Sequence, residues 1–233
     1  MAESCERDFR MSESPIWVKA ERDELKWLQH VFAEAQCVLH LHSGGEATFT
    51  RMLRDLQEGE KDLLLGASYT ADRAKYLYFS PVYIVDKAIL LTRNENAARW
   101  HGKEIFALFD SGANLLVPKH GWYGDAYERL RSKHPQHRQL QYYRHDKDAL
   151  PDFYRSTADV VLTTTRVLNS QADKTWQSEL TVLSPTLYED ELHIVFSKRS
   201  TLYSDVQIIN RKIDELLAKG DSPASFMRAN EGR

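Results

Sequence analysis

The segment Thr70-Ala71-Asp72-Arg73 places a hydroxyl and a guanidinium three residues apart, where a helical turn begins. Threonine is a natural N-cap, the first backbone N–H groups of such a turn favour an anion, and an arginine fork offers two coplanar donors to a carboxylate. Ser68, just upstream, adds a third polar side chain, and Arg73 is also open to a plainer reading as a solvated helix residue. A second strand-to-helix turn is Pro118-Lys119-His120-Gly121-Trp122-Tyr123-Gly124. Its glycines let backbone approach a ligand closely, and the helix that follows contributes its positive end. Gly121, Trp122 and Tyr123 are the contact candidates there; the alternative is a capping turn with an aromatic packed on a sheet. His40-x-His42 and the pair His134 and His137 invite a metal, but no third ligand recurs at a useful spacing. No G-x-S-x-G, P-loop or G-x-G-x-x-G occurs, so no catalytic residue and no cofactor is assigned.

Periodicity supplies the elements that must hold these residues. Leu25, Leu28, Phe32 and Ala35 predict a helix over 20–35, and Phe49, Met52, Leu53 and Leu56 predict another that stops at Gly59. Short strands are expected at 38–42 and 62–66, the second nearly all apolar, as a strand buried on both faces of a parallel sheet would be. A longer strand is expected at 83–92. The second half alternates again, with strands at 114–118, 139–143 and 159–163 and helices at 124–133, 147–154 and 166–172. Extended pieces follow at 179–183 and 191–197. Leu202, Val206, Ile209, Ile213 and Leu216 mark the last helix, and the polar tail 221–233 reads as frayed. Strand–helix alternation is α/β wiring, here in two lobes. The lobes are lobe I, 1–85 plus 187–233, and lobe II, 86–186, joined by extended runs that permit closure on a ligand.

The chain has 233 residues, 42% apolar and 28% charged, enough for packed cores. A net charge of −3 argues against a nucleic-acid binder relying on broad phosphate neutralisation. Apolar runs such as Leu63-Leu64-Leu65 are far too short to span a bilayer. The first thirty residues contain no apolar signal core, leaving either a cytosolic chain or a mature exported one. Cys5 and Cys37 are either two thiols or one bridge.

From Asp62-Leu63-Leu64-Leu65-Gly66-Ala67-Ser68-Tyr69-Thr70-Ala71-Asp72-Arg73-Ala74 through Tyr78-Phe79-Ser80-Pro81-Val82-Tyr83, the chain resembles the amino-acid-type periplasmic solute-binding proteins of ABC transporters. Phe32 to Cys37, Gly102-Lys103, Gly121 to Gly124, Thr157 to Leu162, His193 to Phe196 and the closing helix are similar to further stretches of that family, so the likeness spans most of residues 5–220. The resemblance implies a type II periplasmic-binding fold, α/β, with two lobes and two hinge strands. It implies that Arg73, Ser68 and Thr70 anchor a small carboxylate-bearing ligand. Trp17 would stack on that ligand, Arg51 would face the cleft, and Gly121, Trp122 and Tyr123 would donate from lobe II. The implied partners are an ABC permease or a membrane sensor, and the implied location is the periplasm, after removal of a signal peptide. With strand starts at Cys5 and Cys37 as neighbours in such a lobe, a disulfide between them is expected.

The chain also departs from the family pattern. The acid that pairs with a ligand ammonium falls, by position, at Thr163-Thr164-Thr165, with Thr164 left as the candidate contact. Either Asp86, Glu189 or Asp190 serves instead, or the ligand lacks an ammonium, or the cleft is vestigial and serves sensing or assembly. The loop after Trp17 is also shorter than usual, which changes one pocket wall. An enzyme on the same fold, similar to cyclohexadienyl dehydratase, is a further alternative, with His120 and the hinge carboxylates as its acid–base groups.

Overall fold

The computed structural model describes residues 4–13, 17–45, 47–134, 137–171 and 178–230. Two compact units emerge, one of Met1–Pro15, Ala20–Val85 and Glu191–Arg233, the other of Ile16–Lys19 and Asp86–Asp190.

The first unit starts with strand β1 (Phe9–Glu13), helix α1 (Lys19–Glu34) and strand β2 (Leu39–Ser43). β1 and β2 pair in parallel, from Phe9 opposite Leu39 to Glu13 opposite Ser43. Helix α2 (Phe49–Glu58) is capped by the Thr48 side chain and ends on Gly59, whose left-handed φ of 79° is the expected glycine stop. Strand β3 (Leu63–Ser68), the one-turn helix α3 (Ala71–Ala74) and strand β4 (Leu77–Phe79) follow. β3 is buried at every residue but Gly66, as its composition predicts, but it pairs antiparallel with the last strand, β9 (Leu180–Ser197). The parallel expectation for 62–66 is therefore corrected: burial on both faces makes a strand apolar whichever way its neighbour runs. Leu56, Leu64, Ala67, Leu77 and Val195 form one core of this unit. Phe9 packs edge-on against Phe32 and Phe196.

Polar groups fasten this unit together. Asp62, with its side chain 3% exposed, accepts hydrogen bonds from the backbone N–H, Nε and Nη2 of Arg10. Asp205, in helix α9 (Tyr203–Ala218), accepts from the N–H groups of Glu6 and Arg7 and so ties the start of the chain to that helix. The expected disulfide joins Cys5 and Cys37, whose Cα atoms lie 5.0 Å apart. Replacing both cysteines by serine frees a loop of 32 residues. The entropy of that loop corresponds to about 3–4 kcal/mol of lost stability. Thermal unfolding of the double variant should show a midpoint lowered by roughly 10 °C; an unchanged midpoint would mean the bridge is not formed in solution.

In the second unit, strand β5 (Ile84–Arg93) leads to helices α4 (Ala97–Trp100) and α5 (Ile105–Asp110), which the periodicity did not predict. They are too short to repeat a face, yet they bury Trp100, Ile105, Leu108 and Phe109. Strand β6 (Leu115–Pro118), helix α6 (Asp125–Lys133), strand β7 (Leu140–Tyr143), helix α7 (Ala149–Arg155), strand β8 (Val160–Thr164) and helix α8 (Thr165–Gln171) complete it. β6 pairs in parallel with both β7 and β8, and β8 pairs antiparallel with β5. Alternate residues feed two cores, Ala88, Leu90, Leu115, Val117, Val160 and Leu162 on one face, Ile89, Leu91, Leu116 and Val161 on the other. A sheet covered on both faces needs this pattern.

Two further expectations change. The extended pieces at 179–183 and 191–197 are one 18-residue strand, β9, whose exposed middle (Ser184 to Thr186) lacks the alternation that reveals a strand. The tail is not wholly frayed: helix α10 (Pro223–Asn230) starts where the Ser222 hydroxyl accepts from the Ser225 N–H, and Phe226 stacks on His30. Serine before a proline at the first helical position is a start signal that polar composition obscured.

Candidate functional site

In the first unit, β3 ends at Ser68 and the chain turns into α3 through Tyr69 and Thr70. Thr70 has extended backbone (φ −138°, ψ 149°), and its Oγ1 accepts from the N–H of Arg73 at 3.2 Å. Arg73 Nη1 donates to the Ser68 carbonyl at 2.7 Å, and its Cζ lies 5.5 Å from the centre of the Phe49 ring. The turn thus brings together the three residues singled out as anchors, Ser68, Thr70 and Arg73, and adds Phe49, which the sequence did not point to. A guanidinium held by a carbonyl and an aromatic face has few rotamers left, which preserves its planar fork for a carboxylate. Beside it, Tyr69 is 60% exposed, with its ring 5.0 Å from that of Phe79. Arg51 lies on the exposed face of α2 and pairs with Asp55 at 2.8 Å, one turn on.

A buried polar chain supports β3. The Tyr83 hydroxyl donates to Glu24 at 2.8 Å and accepts from the Gly66 N–H at 3.0 Å, while the Tyr83 ring stacks on Trp27 with a 4° interplanar angle. Tyr83 was recognised only as the end of a motif; nothing in the sequence tied it to Glu24, 59 residues away.

In the second unit, the carboxyl ends of the parallel strands carry the loops where α/β folds gather functional groups. After β6, Gly121 (φ +95°) and Gly124 (φ +92°) adopt left-handed backbone. A Cβ at Gly121 would meet Tyr123 Cε2 at 2.9 Å, and one at Gly124 would meet Tyr188 Cβ at 2.9 Å, so both positions require glycine. Trp122 sits edge-on to Tyr188, and the Tyr123 hydroxyl donates to Asp146 Oδ1 at 3.4 Å. Burial, followed by the neighbouring Asp146 charge, pushes the Tyr123 phenol well above its usual range. Burial likewise raises the Asp146 carboxyl, against the opposing pull of Arg166. Trp17 also belongs to this unit and is 6% exposed.

Thr164 caps α8, its hydroxyl accepting from the Val167 N–H at 3.2 Å. Of the hinge acids, Asp86 is buried and accepts from the Lys87 N–H, the Thr165 hydroxyl and the Arg166 N–H, with Arg166 Nε 3.6 Å away. Glu189 pairs with Lys87 at 2.7 Å. Asp86 is thereby engaged by its own unit. The Asp146–Arg166–Asp86 group escaped the sequence reading because three loops contribute to it.

His120 is half-buried at the end of β6. Burial lowers its pKa, and the charges of Lys119, Arg144, Arg131 and His145 lower it further. No group of three or more His, Cys, Asp or Glu able to hold a metal occurs among the described residues. His40 instead bonds Asp8, and His134 and His137 flank Phe109. No described helix is long and apolar enough to cross a membrane.

No protein-family model matches the chain, and no curated protein matches it in sequence. Its fold is that of the two-lobe, type II periplasmic-binding-protein-like structures. An amino acid ABC transporter substrate-binding protein from Streptococcus pneumoniae, bound to L-arginine, is 20% identical, covering 95% of this chain and 92% of that one at a TM-score of 0.72. A histidine kinase sensor domain with similarity to periplasmic binding proteins is 12% identical, covering 95% of each chain at a TM-score of 0.69. The GluR0 ligand-binding core in complex with L-glutamate is 14% identical, covering 96% and 97% at a TM-score of 0.72.

Proposed function

We propose that this chain is a solute-binding protein that closes two lobes on a small carboxylate-bearing metabolite. In this reading lobe I is 1–85 with 187–233, lobe II is 86–186, and β5 and β9 are the hinge. The compact units change over within β5 at Val85 and Asp86, as in this division, and within β9 at Asp190 and Glu191, four residues beyond it, while Ile16–Lys19 group with the second unit. The observation that carries the reading is the Ser68–Thr70–Arg73 turn, a guanidinium braced by a carbonyl and a ring at the end of a buried strand. The Gly121–Gly124 loop would supply donors from lobe II.

Delivery would be to an ABC permease, since relatives in fold include substrate-binding proteins of such transporters. The histidine kinase sensor domain supports a second reading, in which the closed form is read by a membrane sensor. A disulfide suits an oxidising compartment such as the periplasm, where we place the protein. The test is a thermal-shift screen against amino acids, monocarboxylates, dicarboxylates and phosphorylated acids. A cognate acid at about 100 times its dissociation constant adds about 2.7 kcal/mol and raises the unfolding midpoint by roughly 5–10 °C. No shift with any acid, at millimolar concentrations, overturns the proposal.

A further inference from the structure

Strand β3 carries one residue more than its partner can match. Leu64 lies opposite Val195 and Ala67 opposite His193, so three steps along β3 (64 to 67) meet two along β9 (195 to 193). The extra residue makes a β-bulge, and Gly66 within it takes a left-handed φ of 72°. That is a conformation bulges assign to glycine. A bulge decides which way the rest of the strand faces, because side chains alternate and one added residue turns every later one over. Two residues beyond Gly66 is Ser68, whose carbonyl accepts from Arg73 Nη1 at 2.7 Å. The direction of that carbonyl, and with it the place of the Arg73 fork, therefore depends on the bulge.

A buried network ties the bulge to helix α1. The Gly66 N–H donates to the Tyr83 hydroxyl at 3.0 Å, and that hydroxyl donates to Glu24 Oε2 at 2.8 Å. Tyr83 is itself held at two further points. Its ring stacks on Trp27, three residues after Glu24 on α1. Its N–H donates at 3.1 Å to the carbonyl of Leu192, the residue opposite Ser68. Glu24 is only 2% exposed. A carboxylate buried this far costs free energy that an apolar residue of its volume would not. What a satisfied polar network adds to a core is one fixed arrangement.

We infer that Glu24 is a positioning residue for the ligand anchor: through the Tyr83 hydroxyl it fixes the Gly66 bulge, and the bulge aims the Ser68 carbonyl that braces Arg73. This rests on the reading of the chain as a solute-binding protein, and it adds a residue of α1 to the machinery of that site. Every residue of the relay lies in the first compact unit. Glu24 touches no ligand in this account; its effect on binding passes through Tyr83, Gly66 and Ser68.

The experiment compares the parent with Tyr83→Phe, Glu24→Ala, Glu24→Gln and Cys5→Ser/Cys37→Ser by NMR of the arginine side chains, without ligand. A guanidinium held by a carbonyl and a ring rotates slowly and gives resolved Nη signals. Arg73→Lys identifies the Arg73 signal by removing it. Tyr83→Phe keeps the ring on Trp27 and loses the hydroxyl. It should abolish the slow Arg73 signal and speed hydrogen exchange at the Gly66 N–H, and Glu24→Ala should do the same. Glu24→Gln retains an oxygen that accepts from the hydroxyl, so the signal should persist. The cysteine double variant weakens the same unit from outside the relay and should also keep the signal. A slow Arg73 signal absent from the parent, unchanged in Tyr83→Phe, or lost in the cysteine variant as well overturns the inference. Where Glu24→Ala does not fold, Tyr83→Phe and Glu24→Gln decide it. Calorimetric titration follows with L-arginine, L-glutamine, butyrate, succinate and 3-phosphoglycerate. The acid that binds the parent should bind Tyr83→Phe roughly tenfold more weakly and Glu24→Gln nearly as well as the parent. Equal affinity in the parent and Tyr83→Phe overturns the positioning role while leaving the solute-binding function intact. Absence of binding by every probe, with the Arg73 signal still lost in Tyr83→Phe, overturns the function and leaves the link from Glu24 to Arg73 standing.

Discussion

Arg73→Ala should weaken binding of the cognate acid by roughly 100-fold or more while lowering the unfolding midpoint by only a few degrees. A charge-assisted fork to a carboxylate contributes more than a neutral hydrogen bond, and truncating one partner leaves the ligand anion desolvated against the turn. The stability loss is smaller because the side chain is only half-buried. It donates one hydrogen bond to the Ser68 carbonyl and lies over the face of Phe49. Those amount to about 1–2 kcal/mol together. Arg73→Lys separates shape from charge: it keeps a cation near Phe49 but removes the coplanar donors, so binding should recover only in part. Calorimetry beside thermal unfolding reads both quantities. Equal affinity in parent and alanine variant would end the anchor role, and a collapse in stability would recast Arg73 as a structural residue.

What the sequence made legible follows from where information is local. The Thr70–Arg73 cap, the Gly59 stop and the apolar runs of β5, β6 and β8 each depend on residues a few positions apart, and each of these elements appears in the structure. Composition could not reveal the direction of β3, because an apolar strand buried on both faces looks the same in either pairing. Phe49 beneath Arg73, and Glu24 beneath Tyr83, are joined by packing across 24 and 59 positions, with no spacing rule to announce them. The basic cluster at the ends of β6 and β7 becomes visible only through register. Lys119 and Arg144 are unremarkable exposed cations until Pro118 is set opposite Tyr143. The candidate ammonium partners show the reverse: Asp86 looked available in sequence, and its lone pairs are taken by the start of α8.

That last placement has a large energetic consequence. Asp86 is 4% exposed and receives the Lys87 N–H, the Thr165 hydroxyl and the Arg166 N–H, with the Arg166 guanidinium beside it. It therefore caps α8 from another strand and neutralises a side chain that is itself only 17% exposed. Asp86→Ala removes the acceptor and the charge at once, taking this carboxylate from buried donors and from a buried cation. Breaking a buried pair in this way costs about 3–5 kcal/mol, or a fall of roughly 10 °C in the unfolding midpoint. Asp86→Asn keeps one oxygen for the two N–H donors and loses the charge, so its loss should be about half as large. Chemical denaturation of the three proteins measures the series, and the order parent, asparagine, alanine is the required outcome. A carboxylate engaged instead with a ligand ammonium would behave oppositely. Removing it would relieve burial, stability would hold or rise, and the affinity for amino acids would be what fell.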